Sequence, residues 1–515
     1  MTSDKAIEAD QVFKRYALTA CVMMATIMQA LDTTIANVAL PYMQGSLSTT
    51  QDQVSWVLTS YIVAAAIMTA PLGWMSMRFG RKKLFIVCAA GFTVASMLCG
   101  IAQNIEQMVA FRLLQGVFGA ALVPLSQSVM LDAYPIEQRG QAMAIWGMGV
   151  MLGPIMGPTL GGWLTEALSW RWVFFVNLPF GIITVLGLSA IMDETQARKD
   201  SRFDWLGFLA LSTAIGAFQL MLDRGQEVGW FGSIEVWIET AISIAGLYIF
   251  LAHALTTDHP FIPLAVFKDW NFSIALLLMF VVGVILLATM ALVTPYIQNL
   301  MGYPVMASGV LLGARGIGTL VAMMIVGRML KSFDARPLVA IGLFASLWSI
   351  WEMVWYSPET SASWIVITSI VQGFGLGFIF VPLNSAAFAT LSSALRTDGV
   401  ALWTLIRNLG SSIGVSIVIA QLTSGMPLYR SRMAETLTPF SFGIPMSGVS
   451  EMLDPATLGG QAMLEQLVTR EAAIIAYSND YLLMCLVTLA AFPLVLLLRS
   501  PRAASITPAP VIHAD

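Results

Sequence analysis

Charged residues are scarce in this chain. Its 515 residues include 26 lysines and arginines and 30 aspartates and glutamates, so 11% of the chain is charged, against about 25% in a typical soluble protein. Hydrophobic residues make up 57%, and so few charges could not cover that much apolar surface in water. The composition excludes a soluble enzyme, a disordered protein, a secreted disulfide scaffold and a nucleic-acid-binding protein. It predicts a protein whose solvent is mostly lipid.

Cysteine and histidine are scarce as well. The four cysteines lie in apolar runs, without the spacing of metal ligands or of a disulfide framework, and are expected to be buried free thiols. The three histidines form no catalytic cluster, and the sequence contains no Gly-Lys-Ser/Thr nucleotide-binding loop. We therefore expect neither a metal nor a cofactor. The first apolar run is too long for a cleavable signal and is expected to stay as the first helix.

Long apolar runs, in contrast, are frequent. A membrane-spanning helix needs about 20 mostly apolar residues, and fourteen such runs follow one another. They are too long for the strands of a β-barrel, and helices are the other structure that satisfies backbone groups in lipid. The sequence predicts an all-α integral membrane protein with fourteen spans, near residues 17–40, 54–75, 84–103, 107–131, 141–164, 173–192, 204–222, 236–256, 272–297, 305–327, 337–356, 363–390, 400–423 and 479–498.

The distribution of lysine and arginine predicts the orientation of these spans, because basic residues collect in cytoplasmic loops. With the N-terminus inside, the cytoplasmic segments hold eighteen basic residues and the outer segments five. The other three, Arg112, Arg315 and Arg407, fall within spans. Both termini are therefore expected in the cytoplasm. A segment of about 424–478, dotted with Pro, Gly and Ser, is expected to form an outer loop with an amphipathic helix near 456–476.

Short motifs recur along the chain at a separation of 254 to 258 residues. This separation equals eight predicted helices, which predicts two six-helix lobes in the same orientation with two helices inserted between them, as in two-lobed rocking transporters. The expected boundaries are 1–192, 193–271 and 272–515. The recurring motifs begin at Pro41 and Pro295, at Gly73 and Gly327, at Val123 and Val381, and at Trp146 and Trp403.

Three motifs place glycine or a basic residue where a turn or a helix contact would need it. The loop after the second span contains Gly73, Arg78, Gly80 and Arg81, in which Gly80 suits a tight turn and the basic residues suit the inner headgroup region. The fourth span carries Arg112, Gln115 and Gly116 on one face. The fifth span has a glycine at every fourth position, which allows close approach of another helix, with two prolines that allow bending: Gly149, Gly153, Pro154, Gly157, Pro158 and Gly161.

Together these motifs resemble those of the fourteen-span drug:proton antiporters of the major facilitator superfamily. Leu31-Asp32-Thr33-Thr34 and the residues up to Pro41 are similar to their helix 1 motif, and Gly153 through Gly162 are similar to their antiporter motif. Arg112 with Gly116 and the loop motif beginning at Gly73 match as well. One position departs, because Met77 stands where the loop motif has an acid whose charge pairing helps to latch one conformation. Three further motifs resemble the EmrB branch: Leu222-Asp223-Arg224-Gly225, Trp170-Arg171-Trp172 and Asn177-Leu178-Pro179.

The resemblance implies export of hydrophobic, structurally varied toxic compounds, antibiotics among them, in exchange for inward protons by alternating access. It places the protein in a bacterial inner membrane. For the EmrB branch it also implies a periplasmic adaptor protein and an outer-membrane channel as partners. The proton gradient would supply the energy, so the resemblance implies no cofactor.

Ionisable residues inside spans cost at least about 2.5–3.5 kcal/mol each on insertion scales and are functional candidates for that reason. Asp32 lies in the middle of the first span. Apolar surroundings favour a neutral carboxyl group and a nearby arginine favours a charged one, so a carboxyl group between them can load and release a proton. We therefore predict that Asp32 couples protons and that Arg112 tunes it. A static ion pair that only ties helices together stays open as the alternative.

Weaker candidates lie elsewhere. Arg315 and Arg407 fall in the second lobe, where we predict no acid in mid-span, and each could act in coupling or neutralise an acid of the other lobe. Glu352 is a candidate second coupling acid near the outer surface. Polyspecific pockets favour methionine and aromatic surfaces. The candidates for substrate contacts around a central cavity are Gln29, Trp56, Tyr61, Gln115, Gln127, Trp146, Tyr296, Gln298 and Asn384.

Drug export has two alternatives. A proton-coupled exporter of metabolites or siderophores could use the same scaffold and the same motifs. A membrane-embedded enzyme or lipid-handling protein would need a polar catalytic cluster at the bilayer boundary, and the sequence offers none, so this class is disfavoured.

Overall fold

The computed structural model describes residues 2–135, 138–194, 203–257, 260, 262–330, 332–392, 395–436 and 457–499. The regular structure of these residues is helical, with short 3₁₀ and π-helical turns and no strand. The eighteen α-helices are α1 (Thr2–Ser46), α2 (Gln51–Thr69), α3 (Leu72–Phe79), α4 (Arg81–Ile101), α5 (Ile105–Gly119), α6 (Leu122–Ala133), α7 (Arg139–Ala167), α8 (Trp172–Phe175), α9 (Asn177–Ile191), α10 (Trp205–Arg224), α11 (Ile234–Thr256), α12 (Trp270–Pro295), α13 (Val305–Met329), α14 (Ala335–Val354), α15 (Ala362–Ala389), α16 (Arg396–Thr436), α17 (Leu458–Ala490) and α18 (Phe492–Leu497).

Many of these helices are suited to a membrane. Within the described residues, twelve helical segments are long and apolar enough to cross a bilayer, among them Ile105–Ala133 and Trp270–Leu300. The pair α2 and α3, bent by 60° at a break near Pro71, would be a thirteenth. The prediction of a helical, multi-pass membrane protein is confirmed. The four cysteines are buried and free, also as expected.

The predicted outer loop of about 424–478 needs a correction. Helix α16 continues to Thr436 in spite of Pro427, and α17 already begins at Leu458, so helices enter this segment from both sides. An ion pair between Arg430 of α16 and Glu465 of α17 joins the two extensions. The helix predicted near 456–476 is the first part of α17, and residues 437–456 lie outside the described residues. The cluster of Pro, Gly and Ser at 438–445, on which the prediction of a loop chiefly rested, lies outside the described residues, whereas the segments on either side of it are helical.

Equivalent helices pack in the same way in the two halves of the chain, which we call the N-terminal half (α1–α9) and the C-terminal half (α12–α18). Helix α7 lies along α1, and α16 lies along α12. Gly153 of α7 faces the backbone of Ala30, and Gly410 of α16 faces the backbone of Phe280. A Cβ atom at either glycine would collide with that backbone. The motifs that recur at a separation of 257 residues therefore serve the same helix contact.

The two halves meet along α7, α13 and α15. Trp146 of α7 stacks on Phe380 of α15, with ring centroids 5.9 Å apart. Gln127 of α6 donates a hydrogen bond to Asn384 of α15, and both side chains are buried. One hydrophobic core cluster includes residues of both halves. The halves are thus closed against each other along this surface.

The inserted helix α10 contacts both halves as well. On one side, the Arg224 guanidinium lies over the ring of Trp56 in α2, 5.4 Å from its centroid. On the other side, Ser416 of α16 donates a hydrogen bond of 3.1 Å to the Leu222 carbonyl. Arg224 also pairs with Glu235 of α11 at 2.6 Å, so the two inserted helices are tied to each other. Most of α11 remains unburied, as expected of a helix that faces lipid.

Candidate functional site

A buried ion pair lies inside the N-terminal half. Arg112 of α5 donates a hydrogen bond from Nη1 to Oδ2 of Asp32 in α1, at 2.8 Å. Both side chains have an exposed fraction of 0%. Burying two charges is costly unless they pair closely and their other hydrogen-bonding groups are satisfied. The surroundings of the pair meet that condition, apart from one arginine nitrogen.

Two amides complete the shell of the Asp32 carboxylate. Gln115 Nε2 donates to Oδ1 at 2.7 Å, and Asn177 Nδ2 donates to the same oxygen at 3.1 Å. Asn177 also donates to Ser96 Oγ at 2.9 Å. The sequence singled out Asn177 as part of a motif but did not place it in the site. The sequence feature that could have indicated a role for Asn177 is its position as a polar residue near the start of an otherwise apolar span.

Arg112 is held on several sides. Its Nε donates to the Val57 carbonyl at 2.9 Å, and Nη1 also donates to Gln115 Oε1 at 2.8 Å. The guanidinium lies 4.4 Å from the centroid of the Tyr61 ring, a distance typical of a cation–π contact. The Tyr61 hydroxyl accepts a hydrogen bond from Gln29 at 3.2 Å. The structure therefore brings together Asp32, Arg112 and three predicted substrate-contact residues, and a proton on Asp32 would alter this whole network.

The C-terminal half contains a related cluster without an acid. Arg315 of α13 donates to Thr289 Oγ1 of α12 at 2.9 Å and to Gln372 Oε1 of α15. The pair Gln372-Gly373 lies 257 residues after Gln115-Gly116, and in that register Ser369 stands where α5 carries Arg112. No ion pair of Arg315 occurs within the described part of the chain. The cation of this cluster thus lies on α13, and no carboxylate pairs with it in the part of the chain that the structure describes.

The other predicted coupling residues lie apart from both clusters. Arg407 donates to the Asn408 side chain at 3.4 Å. Glu352 is half-buried near the end of α14. The suggestion that Arg315 or Arg407 neutralises an acid of the other half finds no ion pair to support it among the described residues. Each cation bonds to neutral groups instead.

Asp480 is a buried acid that the sequence reasoning missed. Its exposed fraction is 0%, and neither carboxylate oxygen has a hydrogen-bond partner among the described residues. The sequence placed it at the outer edge of a span beginning near 479, whereas α17 begins at Leu458 and carries it into the interior. Asp480 is thus a buried acid within a helix of the C-terminal half, and the absence of an acid from mid-span in that half stays a prediction.

The remaining predicted substrate contacts do not form one pocket with Asp32. Gln127, Trp146 and Asn384 lie where the two halves meet. Trp56 lies beside Arg224 of α10. Tyr296 packs within a cluster of tyrosines and donates to the Tyr356 carbonyl at 2.7 Å, and Gln298 follows it in a π-helical turn. Residue type alone could not separate these locations.

The loop motif lies at a junction of the two halves. Gly80 has a φ of +82°, a conformation that favours glycine. Arg81 forms an ion pair with Asp132 of α6, and Arg396 of α16 pairs with the same carboxylate at 2.6 Å. Asp132 therefore links the loop motif to the C-terminal half, although Met77 replaces the motif's usual acid.

Two other motif positions add to this picture. A Cβ atom at Gly73 would collide with Asp398 of α16, so this glycine allows α3 to approach the C-terminal half. Arg78, near the end of α3, is half-buried. These contacts lie at the same junction as the ion pairs of Asp132.

The glycine stripe of α7 packs against α1. Added Cβ atoms at these positions would meet side chains or backbone of α1 along its length. The close contact of α7 with α1 therefore depends on the absence of side chains there. The side chains of Pro154 and Pro158 lie outside the described residues. The glycines and their nearest residues in α1 are Gly149 with Met23, Gly153 with Ala30, Gly157 with Thr34 and Gly161 with Ile35.

Comparison with known proteins supports the resemblance. The profile of the Major Facilitator Superfamily matches residues 22–415. The multidrug export protein EmrB of Haemophilus influenzae is 33% identical over 426 residues, which is 82% of this chain and 84% of that protein. EmrB of Escherichia coli is 32% identical over 86% of both chains. The fatty acid resistance protein FarB of Neisseria gonorrhoeae is 31% identical over 93% of this chain and 95% of its own.

A solved structure agrees with the fold. The crystal structure of the human organic anion transporter MFSD10 matches with a TM-score of 0.57 and covers 92% of this chain and 99% of that one. Sequence identity is 12%, so this likeness supports the fold alone. The profile match and the relatives above 30% identity together identify the chain as a member of the Major Facilitator Superfamily, a secondary transporter rather than an enzyme, related to the EmrB-type exporters.

Proposed function

We propose that this protein is a proton-driven exporter of hydrophobic toxic compounds. The observation that carries the proposal is the buried ion pair of Asp32 and Arg112. A carboxylate that has no contact with solvent is stable in its ionised form only while its partners hold it. The named relatives, three of which are export or resistance proteins, support the same class of substrate.

The proposed cycle uses Asp32 as the proton carrier. With Asp32 ionised, Arg112, Gln115 and Asn177 hold its carboxylate. A proton entering from the outer side converts the carboxylate to a neutral acid and weakens the bond to Arg112. The network then rearranges, the halves exchange their closed and open sides, and the proton leaves to the cytoplasm. Substrate bound between the halves moves outward in the opposite step.

The membrane arrangement follows the same proposal. If the bent pair α2–α3 and the 29-residue helix α7 also cross the membrane, they would bring the twelve described spans to the fourteen that we propose. They would divide into six, two and six, with boundaries near 192 and 271. The basic residues favour cytoplasmic termini in a bacterial inner membrane. A periplasmic adaptor and an outer-membrane channel would complete the export route, and their association can be tested by co-purification.

Reconstituted protein tests the function directly. Purified protein in liposomes is supplied with cationic, neutral and anionic hydrophobic compounds, with and without a pH gradient. We expect gradient-dependent movement of several hydrophobic drugs, abolished by a protonophore. Equal movement with and without the gradient would contradict proton coupling. Movement of polar metabolites alone would replace drug export by metabolite or siderophore export.

A further inference from the structure

Three consecutive residues near the end of the inserted helix α10 contact helices of both halves. The Leu222 carbonyl accepts a hydrogen bond of 3.1 Å from α16 of the C-terminal half. The Arg224 guanidinium lies over the ring of Trp56 in α2 of the N-terminal half. Between them, the Asp223 carboxyl group accepts a hydrogen bond from Thr59 of α2. This end of α10 therefore lies between the two halves, and an acid stands in the contact.

One oxygen of the Asp223 carboxyl group has no partner. Its Oδ1 accepts a hydrogen bond from Gln219 Nε2 at 3.1 Å, whereas Oδ2 is buried and has no hydrogen-bond partner within the part of the chain that the structure describes. A buried acceptor without a donor is costly, and more so when it belongs to a charged group. A proton on the carboxyl group removes the charge and with it much of this cost. The observed contact of α10 with α2 therefore suits the protonated form of Asp223.

Among the described residues, no cation forms an ion pair with Asp223. The neighbouring Arg224 pairs instead with Glu235 of α11 at 2.6 Å. The other charged side chains near these residues are the acids Glu227, in the turn after α10, and Glu239 of α11, and like charges disfavour a further negative charge. The polar and aromatic side chains by which α2 and α16 contact this end of α10 are neutral, namely Trp56, Thr59 and Ser416.

Helix α2 connects Asp223 to the buried ion pair of the N-terminal half. Thr59 lies two residues after Val57 and two residues before Tyr61. The Val57 carbonyl accepts a hydrogen bond from Arg112 Nε at 2.9 Å, and the Tyr61 ring lies against the same guanidinium. A movement of α2 relative to α10 would therefore also reach Arg112, through one continuous set of contacts.

We propose that Asp223 is a second proton-binding acid of this transporter and that its proton controls the contact of α10 with α2. In its protonated form the carboxyl group fits the observed contact. In its ionised form it needs water or further donors, so the contact loosens. In the membrane arrangement proposed above, this end of α10 faces the outer side. Asp223 therefore binds its proton from there, in a step apart from the exchange of drug for a proton at Asp32. The inference rests on the proposed function in one respect, namely that protons drive the cycle.

Infrared titration of the purified full-length protein tests the proton site without drug and without a gradient. It records the carbonyl bands of protonated carboxyl groups that disappear as the pH is raised. We expect Asp223→Asn to lack one band of the wild type and Asp223→Glu to keep a band at a shifted frequency. The control Glu106→Gln changes an exposed acid at the start of α5 and should match the wild type. Identical bands in Asp223→Asn and the wild type at every pH would overturn the proposal.

Cross-linking measures the effect of this proton on the helix contact. A Cβ atom at Gly216 of α10 would lie 3.4 Å from Cδ1 of Ile67 in α2, so cysteines at these two positions can report on the contact. The same cysteine pair in the Asp223→Asn protein corrects for the titration of the thiols themselves. Relative to that protein, the rate with Asp223 present should fall by at least about twofold as the pH rises through the titration of the band.

A ratio of the two rates that does not change with pH would overturn the control of the contact by Asp223. Thr59→Val removes the hydrogen bond from α2 but keeps the acid, so it should keep the infrared band and reduce the dependence of the rate on pH. Full dependence in Thr59→Val would contradict the proposed route. Since neither measurement uses drug or a gradient, a failure of proton-driven export would leave these results intact. Loss of the assignment of Asp223 would likewise leave export through Asp32 intact.

Discussion

The two halves of this transporter repeat a helix packing but not its charges. In the N-terminal half, Asp32 and Arg112 neutralise each other in a shell of amides. In the C-terminal half, the matching glutamine is present, the cation comes from α13, and no carboxylate pairs with it among the described residues. The N-terminal half thus buries a paired acid and base, whereas the C-terminal half keeps its buried arginine among neutral groups and its buried acid, Asp480, without an ion pair among the described residues.

The largest effect is expected from removing the acid of the N-terminal half. Asp32→Asn keeps the shape of the side chain but cannot ionise, so gradient-driven efflux from liposomes should fall to the level of empty liposomes. Glu106→Gln changes an exposed acid at the start of α5 and serves as the matched control. Efflux by Asp32→Asn at the wild-type rate would remove Asp32 from the coupling step.

The next effect concerns stability and contrasts the two arginines. Arg112→Met leaves a carboxylate buried without its partner, which should cost about 3–5 kcal/mol in the free energy of unfolding. Arg315→Met leaves only neutral groups without a bond and should cost about 1–2 kcal/mol. Unfolding in detergent, followed by circular dichroism, measures both. Equal losses in the free energy of unfolding would contradict the proposed difference between a paired arginine in one half and an arginine bonded to neutral groups in the other.

The double variant Asp32→Asn/Arg112→Met refines this comparison. It removes both charges of the pair together, so no buried charge is left without a partner. We expect it to recover much of the stability lost in Arg112→Met alone. If it recovers none, packing of the arginine rather than charge pairing dominates at this position.

A smaller effect concerns the close helix contact that the two halves share. Gly153→Ala and Gly410→Ala each push a methyl group into the backbone of the neighbouring helix, at a cost of about 1–3 kcal/mol from overpacking. The two losses should be similar, since the contacts are equivalent. Gly162→Ala is the control, because nothing lies within 4 Å of its Cβ position. A large loss at only one of the two glycines would mean that the repeated packing differs in energy.

The smallest effect is expected at the junction of the halves. Asp132 is 36% exposed in its ion pairs with Arg81 and Arg396, and pairs of this kind contribute about 0.2–1 kcal/mol. A Cβ atom at Gly140 of α7 would lie 3.5 Å from Cβ of Leu330, which follows α13, so cysteines at these two positions can report on the contact between the halves. Asp132→Asn should therefore lower the rate of their cross-linking by up to about fivefold. Asp193→Asn, at another exposed acid, is the control. An unchanged rate would remove these ion pairs from the closed contact.

The sequence predicted the parts of this account that depend on scarcity and repetition. Charges that are rare in apolar spans drew attention to Asp32 and Arg112, and motifs that recur at 257 residues predicted the equivalent contacts of Gly153 and Gly410. The sequence could not predict that α17 begins at Leu458, well before the apolar run. It therefore placed Asp480 at the edge of a span rather than inside a helix. In the structure, α16 and α17 extend into the segment predicted as a loop, and the ion pair of Arg430 with Glu465 joins the two extensions.

The site shows a similar limit. Gln115 was a candidate because of its residue type and its place on one face with Arg112. The orphaned donors of Arg315 and Gln372 could not be recognised from sequence, since their lack of partners depends on three-dimensional neighbours. Residue type indicates what a side chain can bind, and only the fold decides whether that partner is present.

Proton release on substrate binding tests the central claim most directly. A drug that the protein exports is added to purified protein in weakly buffered detergent solution at each of several pH values, and a pH indicator records the protons released. We predict release by the wild type and by Glu106→Gln, and none by Asp32→Asn. Equal release by Asp32→Asn and the wild type would contradict the assignment of Asp32 as the proton carrier.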